Sequence, residues 1–285
     1  MDFIGIHLRS NAQLLLGHSP IQIFCNSLIR HQGGYCIMRL FKDIEKVNQT
    51  SLLPWQNDAL KVFSTKMKDR EYLFPCIPAT QSFSLGHLRY GFVGHPESNQ
   101  TSIELAGLLK EFTINCKEFG KYTTLIIFFE TPQNLITDST VEDFELLFWK
   151  QLNNLNKLDE KDWPGHIPQN PSEHEWEYCF HGEQYFMYCA TPKHEKRKSR
   201  YFPYMMMAIT PRWVLQKFNK NERYAKKIKE QARERTKKYD NISIHSALNS
   251  YGNIDNHEWK QYFLRDDNTE LPKCPFLRSL IDKEN

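Results

Sequence analysis

Cys76 lies between two prolines, in the segment Phe74-Pro75-Cys76-Ile77-Pro78. Proline fixes its own backbone and pushes the preceding residue towards extended conformations, so this pattern predicts a stiff loop ahead of the first strand. A thiolate held on such a loop could ligate iron or act as a nucleophile. The competing interpretation is a small buried side chain in a stiff turn, and the sequence favours it because buried structural cysteines outnumber reactive ones.

A dense basic segment, residues 193–200, lies between two apolar runs. Its residues His194, Arg197, Ser199 and Arg200 belong to a loop that could neutralise an anion such as a haem propionate, a carboxylate or a phosphate. The alternative is a solvated loop, because runs of charge usually face water. Binding residues concentrate on loops held by rigid elements, so its position between two predicted strands gives the two interpretations equal weight.

Helical spacing of apolar residues and capping patterns predict the helices that would position these loops. Residues 55–69 have such spacing, with Pro54 in the first turn. Capping boxes at Thr101–Glu104 and Thr140–Asp143 predict the starts of two further helices. A long basic helix is predicted over 213–238, followed by irregular chain to residue 285.

Alternating and β-branched runs predict the strands. Residues 88–93 alternate, and Thr123–Phe129 is an uncharged run typical of a central strand buried on both faces. Residues 175–190 have the pattern of a hairpin joined through 181–183, and 204–209 form another apolar run. Short strands mixed with long helices indicate the α+β class, with a single mixed sheet of four or more strands covered by helices.

The first 37 residues contain no Lys or Glu and one acid, Asp2, whereas the remainder has ordinary globular composition. A signal peptide is not predicted, because the Leu14–Leu16 run is interrupted by Gly17. We therefore expect residues 1–37 to be a poorly ordered extension outside the fold, with Met38 as an alternative start. Residues 38–285 are expected to form a single domain.

Charge and cysteine usage exclude several classes of protein. With 37 basic and 34 acidic residues, the net charge of +3 gives no sign of a nucleic-acid binder. No apolar stretch is long enough to cross a bilayer, so no membrane association is expected. Seven scattered cysteines without a C-x-x-C pair indicate a cytoplasmic protein. The common nucleotide-binding, hydrolase and metalloprotease signatures are absent.

Short collinear motifs over about residues 40–277 resemble the YqcI/YcgG family, and most of all its YcgG-like branch. In chain order they are Phe74-Pro75-Cys76, Gly86-His87-Leu88-Arg89-Tyr90, Phe128-Phe129-Glu130-Thr131-Pro132, Leu147-Phe148-Trp149, Asp162-Trp163-Pro164, Pro171, Gly182, Phe186, Pro192, Ser199-Arg200-Tyr201-Phe202-Pro203 and Cys274-Pro275-Phe276.

The resemblance implies a haem-dependent enzyme, because some members bind haem b and hydroxylate a guanidine nitrogen of arginine or a derivative. In that branch a His-Pro dipeptide precedes the Ser-Arg motif, whereas this chain has Thr191-Pro192 there and its nearest histidine is His194. The expected iron ligand is therefore His194 or a thiol shared with the family, Cys76 or Cys274.

The same resemblance leads to a small-molecule substrate with a guanidino or amino group. Arg89, Arg197 and Arg200 would then face the haem propionates or the substrate carboxylate, which arginine matches in bidentate fashion. The second hypothesis is of another class: a small-anion-binding or stress-response module that has no cofactor and uses the 193–200 loop. An oxygenase needs a cavity large enough for haem, and a binding module needs only a shallow basic cleft.

Overall fold

The computed structural model describes residues 28–31, 34–37, 40–42, 52–249 and 254–277. Contacts divide the chain into two units, Met1–Ile37 and Met38–Asn285. In the first unit, strands β1 (Leu28–His31) and β2 (Gly34–Ile37) pair antiparallel. The prediction of a poorly ordered extension over 1–37 falls mainly on residues outside the described ones, and it stays a prediction.

The second unit is built on one mixed sheet of five strands, which confirms the predicted α+β class. The strand order is β3-β4-β7-β6-β5, and β3 and β4 are parallel while the other neighbours are antiparallel. The strands are β3 (Leu88–Val93), β4 (Thr124–Phe129), β5 (Tyr178–Phe180), β6 (Glu183–Ala190) and β7 (Met206–Pro211). Strand β4 has a partner on each side, so the predicted interior strand at Thr123–Phe129 is confirmed.

Eight helices are present in the described parts of this unit. They are α1 (Pro54–Lys68), α2 (Ile77–Ser84), α3 (Asn99–Asn115), α4 (Gln133–Asp138), α5 (Val141–Leu158), α6 (Arg212–Asn219), α7 (Glu222–Asp240) and α8 (Trp259–Tyr262). None of the helices in the described ranges is both long enough and apolar enough to cross a membrane.

The two predicted capping boxes have different outcomes. At α5, Thr140 and Asp143 bond each other's backbone N–H groups, as predicted. At α3 the prediction is wrong, because the helix begins earlier and Ser98 is the N-cap, accepting from the N–H of Gln100. The carboxylate of Glu104 accepts instead from the N–H of Gly94, 2.9 Å away.

Two other predictions about helices need correction. The segment after Cys76 is helical rather than extended, because Pro78 lies in the first turn of α2, where a missing N–H costs nothing. The single basic helix predicted over 213–238 is two helices. It breaks at Lys220, and Asn221 caps α7 by accepting from the N–H of Tyr224.

The predicted hairpin is present, with a tighter turn than expected. Phe180 pairs with Glu183, so the connection is the two-residue turn His181-Gly182. Both turn residues have positive φ, 53° and 79°, as a type I′ turn requires. Strand β5 therefore pairs with only the first three residues of β6.

The two faces of the sheet carry separate cores. Leu125, Ile127 and Phe129 of β4 point to the face covered by α3 and α5, which we call the α3 face. Ile126 and Phe128 point the other way and pack with Phe63 of α1, on what we call the α1 face. Because side chains alternate along a strand, these faces decide which candidate residues can meet.

Candidate functional site

Cys76 is the N-cap residue of α2, and its carbonyl accepts from the N–H groups of Ala79 and Thr80. Its side chain is exposed. Desolvation nevertheless raises the pKa of the thiol, and Arg200 partly offsets that effect through its charge. We use the term recess for the surroundings of this residue, which is accessible to solvent although its thiol is desolvated.

Two neighbouring residues of β6 and β7 on the α1 face remain partly exposed. Tyr188 and Ala208 pair directly across these two strands. Both belong to interior strands, yet both are only partly buried. The α1 face is thus incompletely covered there. Arg200 lies on the Tyr188 ring and its charge lowers the pKa of the Cys76 thiol, so the thiol is on this side of the sheet.

Arg200 lies over the same part of the sheet. Its guanidinium carbon is 4.2 Å from the centre of the Tyr188 ring, a cation–π arrangement. Its nitrogens donate to three backbone carbonyls, those of Cys189, Gln261 and Tyr262, at 3.0–3.4 Å. Arg200 therefore ties the end of β6 to the C-terminal segment and contributes positive charge beside Cys76.

Ser199 is held by the end of α7. Its N–H and its hydroxyl donate to the two carboxylate oxygens of Asp240, at 2.6 and 2.8 Å. Its carbonyl accepts from the hydroxyl of Tyr188. Ser199 thus positions the turn that carries Arg200, and its own polar groups are already bonded within the protein.

His194 is buried, with 2% of its surface exposed. Its Nε2 lies 2.8 Å from the carbonyl oxygen of Leu264, so Nε2 must be the protonated nitrogen and the donor. The lone pair of Nδ1 then accepts from the hydroxyl of Thr191, also at 2.8 Å. Burial lowers the pKa of His194 to about 4, which keeps the ring neutral. A neutral ring with both nitrogens bonded has no lone pair left for a metal.

Arg197 and the backbone of its loop are bonded to a segment about 70 residues further along. The carboxylate of Asp266 accepts from the N–H groups of residues 195, 196 and 197. The Arg197 guanidinium donates to the carbonyls of Ser243, Arg265 and Asp267. The 193–200 loop is therefore anchored at Arg197 and Arg200 by buried contacts, and it is not a run of uniformly solvated charge.

Arg89 and Cys274 lie away from this group. Arg89 is on the α3 face of β3, where its guanidinium carbon is 3.9 Å from the centre of the Phe119 ring. Strand β3 is three places from β6, roughly 14 Å at ordinary strand spacing, and Arg200 is on the other face. Cys274 is buried in the core of the α3 face, where burial raises the pKa of its thiol to about 12.

The structure thus brings together Cys76, Ser199 and Arg200, and adds Tyr188, which sequence reasoning missed. The alternation of side chains along β6 could have indicated it, because alternation places Tyr188 and Phe186 on the same face of the strand. It does not bring Arg89 or Cys274 to the recess. His194 and Arg197 belong to the same loop, but their polar groups are bonded to the C-terminal segment.

The family model described as the YqcI/YcgG family matches residues 63–277. The chain belongs to the YqcI/YcgG family. Among its relatives is the "Uncharacterized protein YqcI" of Bacillus subtilis (strain 168), 47% identical over 83% of this chain and 92% of that protein. The "Uncharacterized protein YcgG" of the same strain is 43% identical, over 82% of this chain and 94% of its own length.

A more distant relative comes from Streptomyces lavendulae. It is named "Putative N(omega)-hydroxy-L-arginine synthase DcsA" and is 27% identical over 78% of this chain and 84% of that protein. No solved structure matches the chain.

The haem that the family resemblance implies can be tested against the donors present. In the described ranges, no three His, Cys, Asp or Glu side chains converge as a metal site would require. Haem iron, however, needs only one protein ligand. His194 and Cys274 do not fit, because the first has no spare lone pair and the second is a buried thiol. Cys76 is the remaining donor of the three, since it is accessible to solvent.

Proposed function

We propose that this protein is an oxygenase that would use haem b to hydroxylate a nitrogen of a guanidino or amino substrate, and that the Cys76 thiol would hold the iron. The observation that carries the proposal is that Cys76 is accessible to solvent and that its thiol is close enough to Arg200 for the guanidinium to lower its pKa. The printed name of the Streptomyces lavendulae relative supports the reaction class.

The residues around Cys76 have definite tasks in this proposal. Arg200 favours the thiolate form of Cys76 through its charge, because a positive neighbour stabilises the anion. The three carbonyls that accept from Arg200 fix the position of its guanidinium. Its positive charge therefore stays in place when a ligand binds beside Cys76. Haem, when bound, would supply the oxygen chemistry, while the protein holds and orients the substrate.

Tyr188 and Ser199 are positioning residues. The Tyr188 ring supports the guanidinium of Arg200 from below, and its hydroxyl is bonded to the Ser199 carbonyl. Burial raises the pKa of Tyr188 well above its usual value, so it remains a neutral donor at physiological pH. Asp240 completes the arrangement by fixing the backbone of Ser199.

The test is an absorbance spectrum of protein expressed with a haem precursor. We expect a Soret band, and a ferrous–CO spectrum of the thiolate-ligated type. Cys76→Ala should lose both, whereas the matched variant Cys274→Ala should retain them. Colourless protein that stays colourless when haem is titrated would remove the proposal. An unchanged spectrum in Cys76→Ala would remove Cys76 as the ligand.

A further inference from the structure

A cavity of about 270 Å³ lies between α1, the turn that follows the basic loop, and the C-terminal end of α7. Its walls are mostly aromatic and apolar, and Cys76 is not among them. The lining residues are Val62, Lys66, Tyr72, Lys198, Tyr201, Phe202, Pro203 and Tyr239. The volume is slightly below the range of about 300–1,000 Å³ for drug-sized ligands, so it suits a compound with a single ring.

Lys66 brings a charge to this apolar space. Its ammonium donates to the carbonyls of Tyr201 and Lys198, at 2.6 and 3.2 Å. The rings of Phe74 and Tyr239 lie 5.4 and 5.8 Å from the same nitrogen. An ammonium has three protons, so these two carbonyls leave one proton for an acceptor in the cavity that Lys66 lines.

The charges around Lys66 favour an anion. Two lysines line the cavity and no carboxylate does; its other titratable groups are Tyr72, Tyr201 and Tyr239. The nearby carboxylate of Asp240 has both oxygens bonded to Ser199. Burial lowers the pKa of Lys66 to about 8 in spite of the attraction of Asp240. A bound anion would stabilise the charged form of a lysine that is desolvated in this way.

We propose that this cavity binds a small monocarboxylate built on a single ring, with the carboxylate on Lys66 and the ring among the aromatic walls. We expect a ring because most of the lining residues are aromatic or apolar. We expect a negative charge because no carboxylate lines the cavity together with Lys66 and Lys198. This site does not depend on the haem proposal, since neither the cavity nor Lys66 involves the Cys76 thiol.

Calorimetric titration with benzoate and with benzamide tests the charge requirement on the unmodified protein. The two probes have nearly the same shape and differ in charge. We expect benzoate to bind at least about tenfold more tightly than benzamide, and acetate, which lacks the ring, to bind more weakly than benzoate. The affinity for benzoate should fall as the pH is raised past the pKa of Lys66, about 8, because the amine then loses its proton.

Lys66→Met keeps the apolar stem and removes the donor, so it should erase the preference for benzoate over benzamide. The matched control is Lys61→Met, an exposed lysine of the same helix, which should leave the preference intact. Equal affinities for the two probes in the unmodified protein, no binding of benzoate, or an unchanged preference in folded Lys66→Met would each overturn the proposal. The comparison of probes and its pH dependence remain decisive if Lys66→Met does not fold.

Discussion

The guanidinium of Arg200 lies on the ring of Tyr188, and the hydroxyl of that tyrosine donates to the carbonyl of Ser199. Two neighbouring positions of one turn, Ser199 and Arg200, are thereby connected to the α1 face of the sheet. The same guanidinium reaches the carbonyls of Gln261 and Tyr262, so one side chain links β6, the turn and the C-terminal segment.

Arg200→Lys should lower the free energy of unfolding by about 3 kcal/mol, because lysine cannot reproduce the planar set of donors and buried carbonyls would lose their partners. Urea denaturation followed by tryptophan fluorescence measures this. Arg223→Lys, an exposed position on α7, is the control and should change stability by less than about 0.5 kcal/mol. A similarly small effect at Arg200 would show that these bonds contribute little.

The burial of neutral His194 should make the protein less stable as the pH falls. Its folded pKa, about 4, is below the unfolded value of 6.5, so the unfolded chain takes up the proton first. The contribution of neutral His194 to the free energy of unfolding is complete above about pH 6.5. It decreases by up to about 3 kcal/mol as the pH falls to about 4. His194→Gln removes the titration and should flatten the unfolding free energy over this window. His174→Gln, at an exposed position, should leave the slope unchanged, and an equal slope in all three proteins would contradict the assignment.

Ile127→Asp should prevent folding. Ile127 has no exposed surface and lies in β4 between two strands, so an unpaired carboxylate there would cost several kcal/mol, about the whole stability of a domain. Ile103→Asp is the control, since Ile103 is 46% exposed on α3. Soluble expression and circular dichroism distinguish the two variants. A folded Ile127→Asp protein would show that β4 is not an interior strand.

Cysteine accessibility provides a direct test of the recess. Cys76 is exposed, whereas Cys116, Cys179, Cys189 and Cys274 are buried. Brief treatment of the native protein with N-ethylmaleimide, followed by peptide mass mapping, should therefore label Cys76 ahead of these four. The rate at Cys76 should rise with pH, because burial raises the pKa of the thiol and the thiolate is the reactive form. Equal labelling of Cys274 would argue against the recess.

The strands could be predicted from the sequence because their signals are local. The uncharged run at β4 and the alternation at β3 depend only on neighbouring residues. The start of α3 was misplaced although its signal is local too. Ser98 and Thr101 are both residues that cap helices well. Ser98 is the N-cap in the structure, and the Glu104 carboxylate, which a capping box at Thr101 would need, accepts instead from the N–H of Gly94.

The candidate site was harder to predict, because its geometry depends on strand order and on remote partners. The pattern of the sequence places Arg89 in a strand, but only the order of the sheet shows that β3 is three places from β6, the strand on which Arg200 packs. His194 is bonded to the carbonyl of Leu264, 70 residues away, and no spacing in the sequence predicts that contact. Lys66 did have a signal, since a lysine three residues after Phe63 interrupts the apolar side of α1.

The short pairing of β5 with β6 has a consequence for how the chain folds during synthesis. Strand β5 covers only the first part of the β6 edge, and α8 contacts β6 where this pairing ends, since the hydroxyl of Tyr262 donates to the carbonyl of Tyr185. These two residues are 77 positions apart, so β6 leaves the ribosome well before the segment that covers it. An uncovered edge is a template for pairing with other chains. We therefore expect the nascent protein to be more prone to aggregate until this segment has emerged, and a truncation before Trp259 to aggregate more than the full chain.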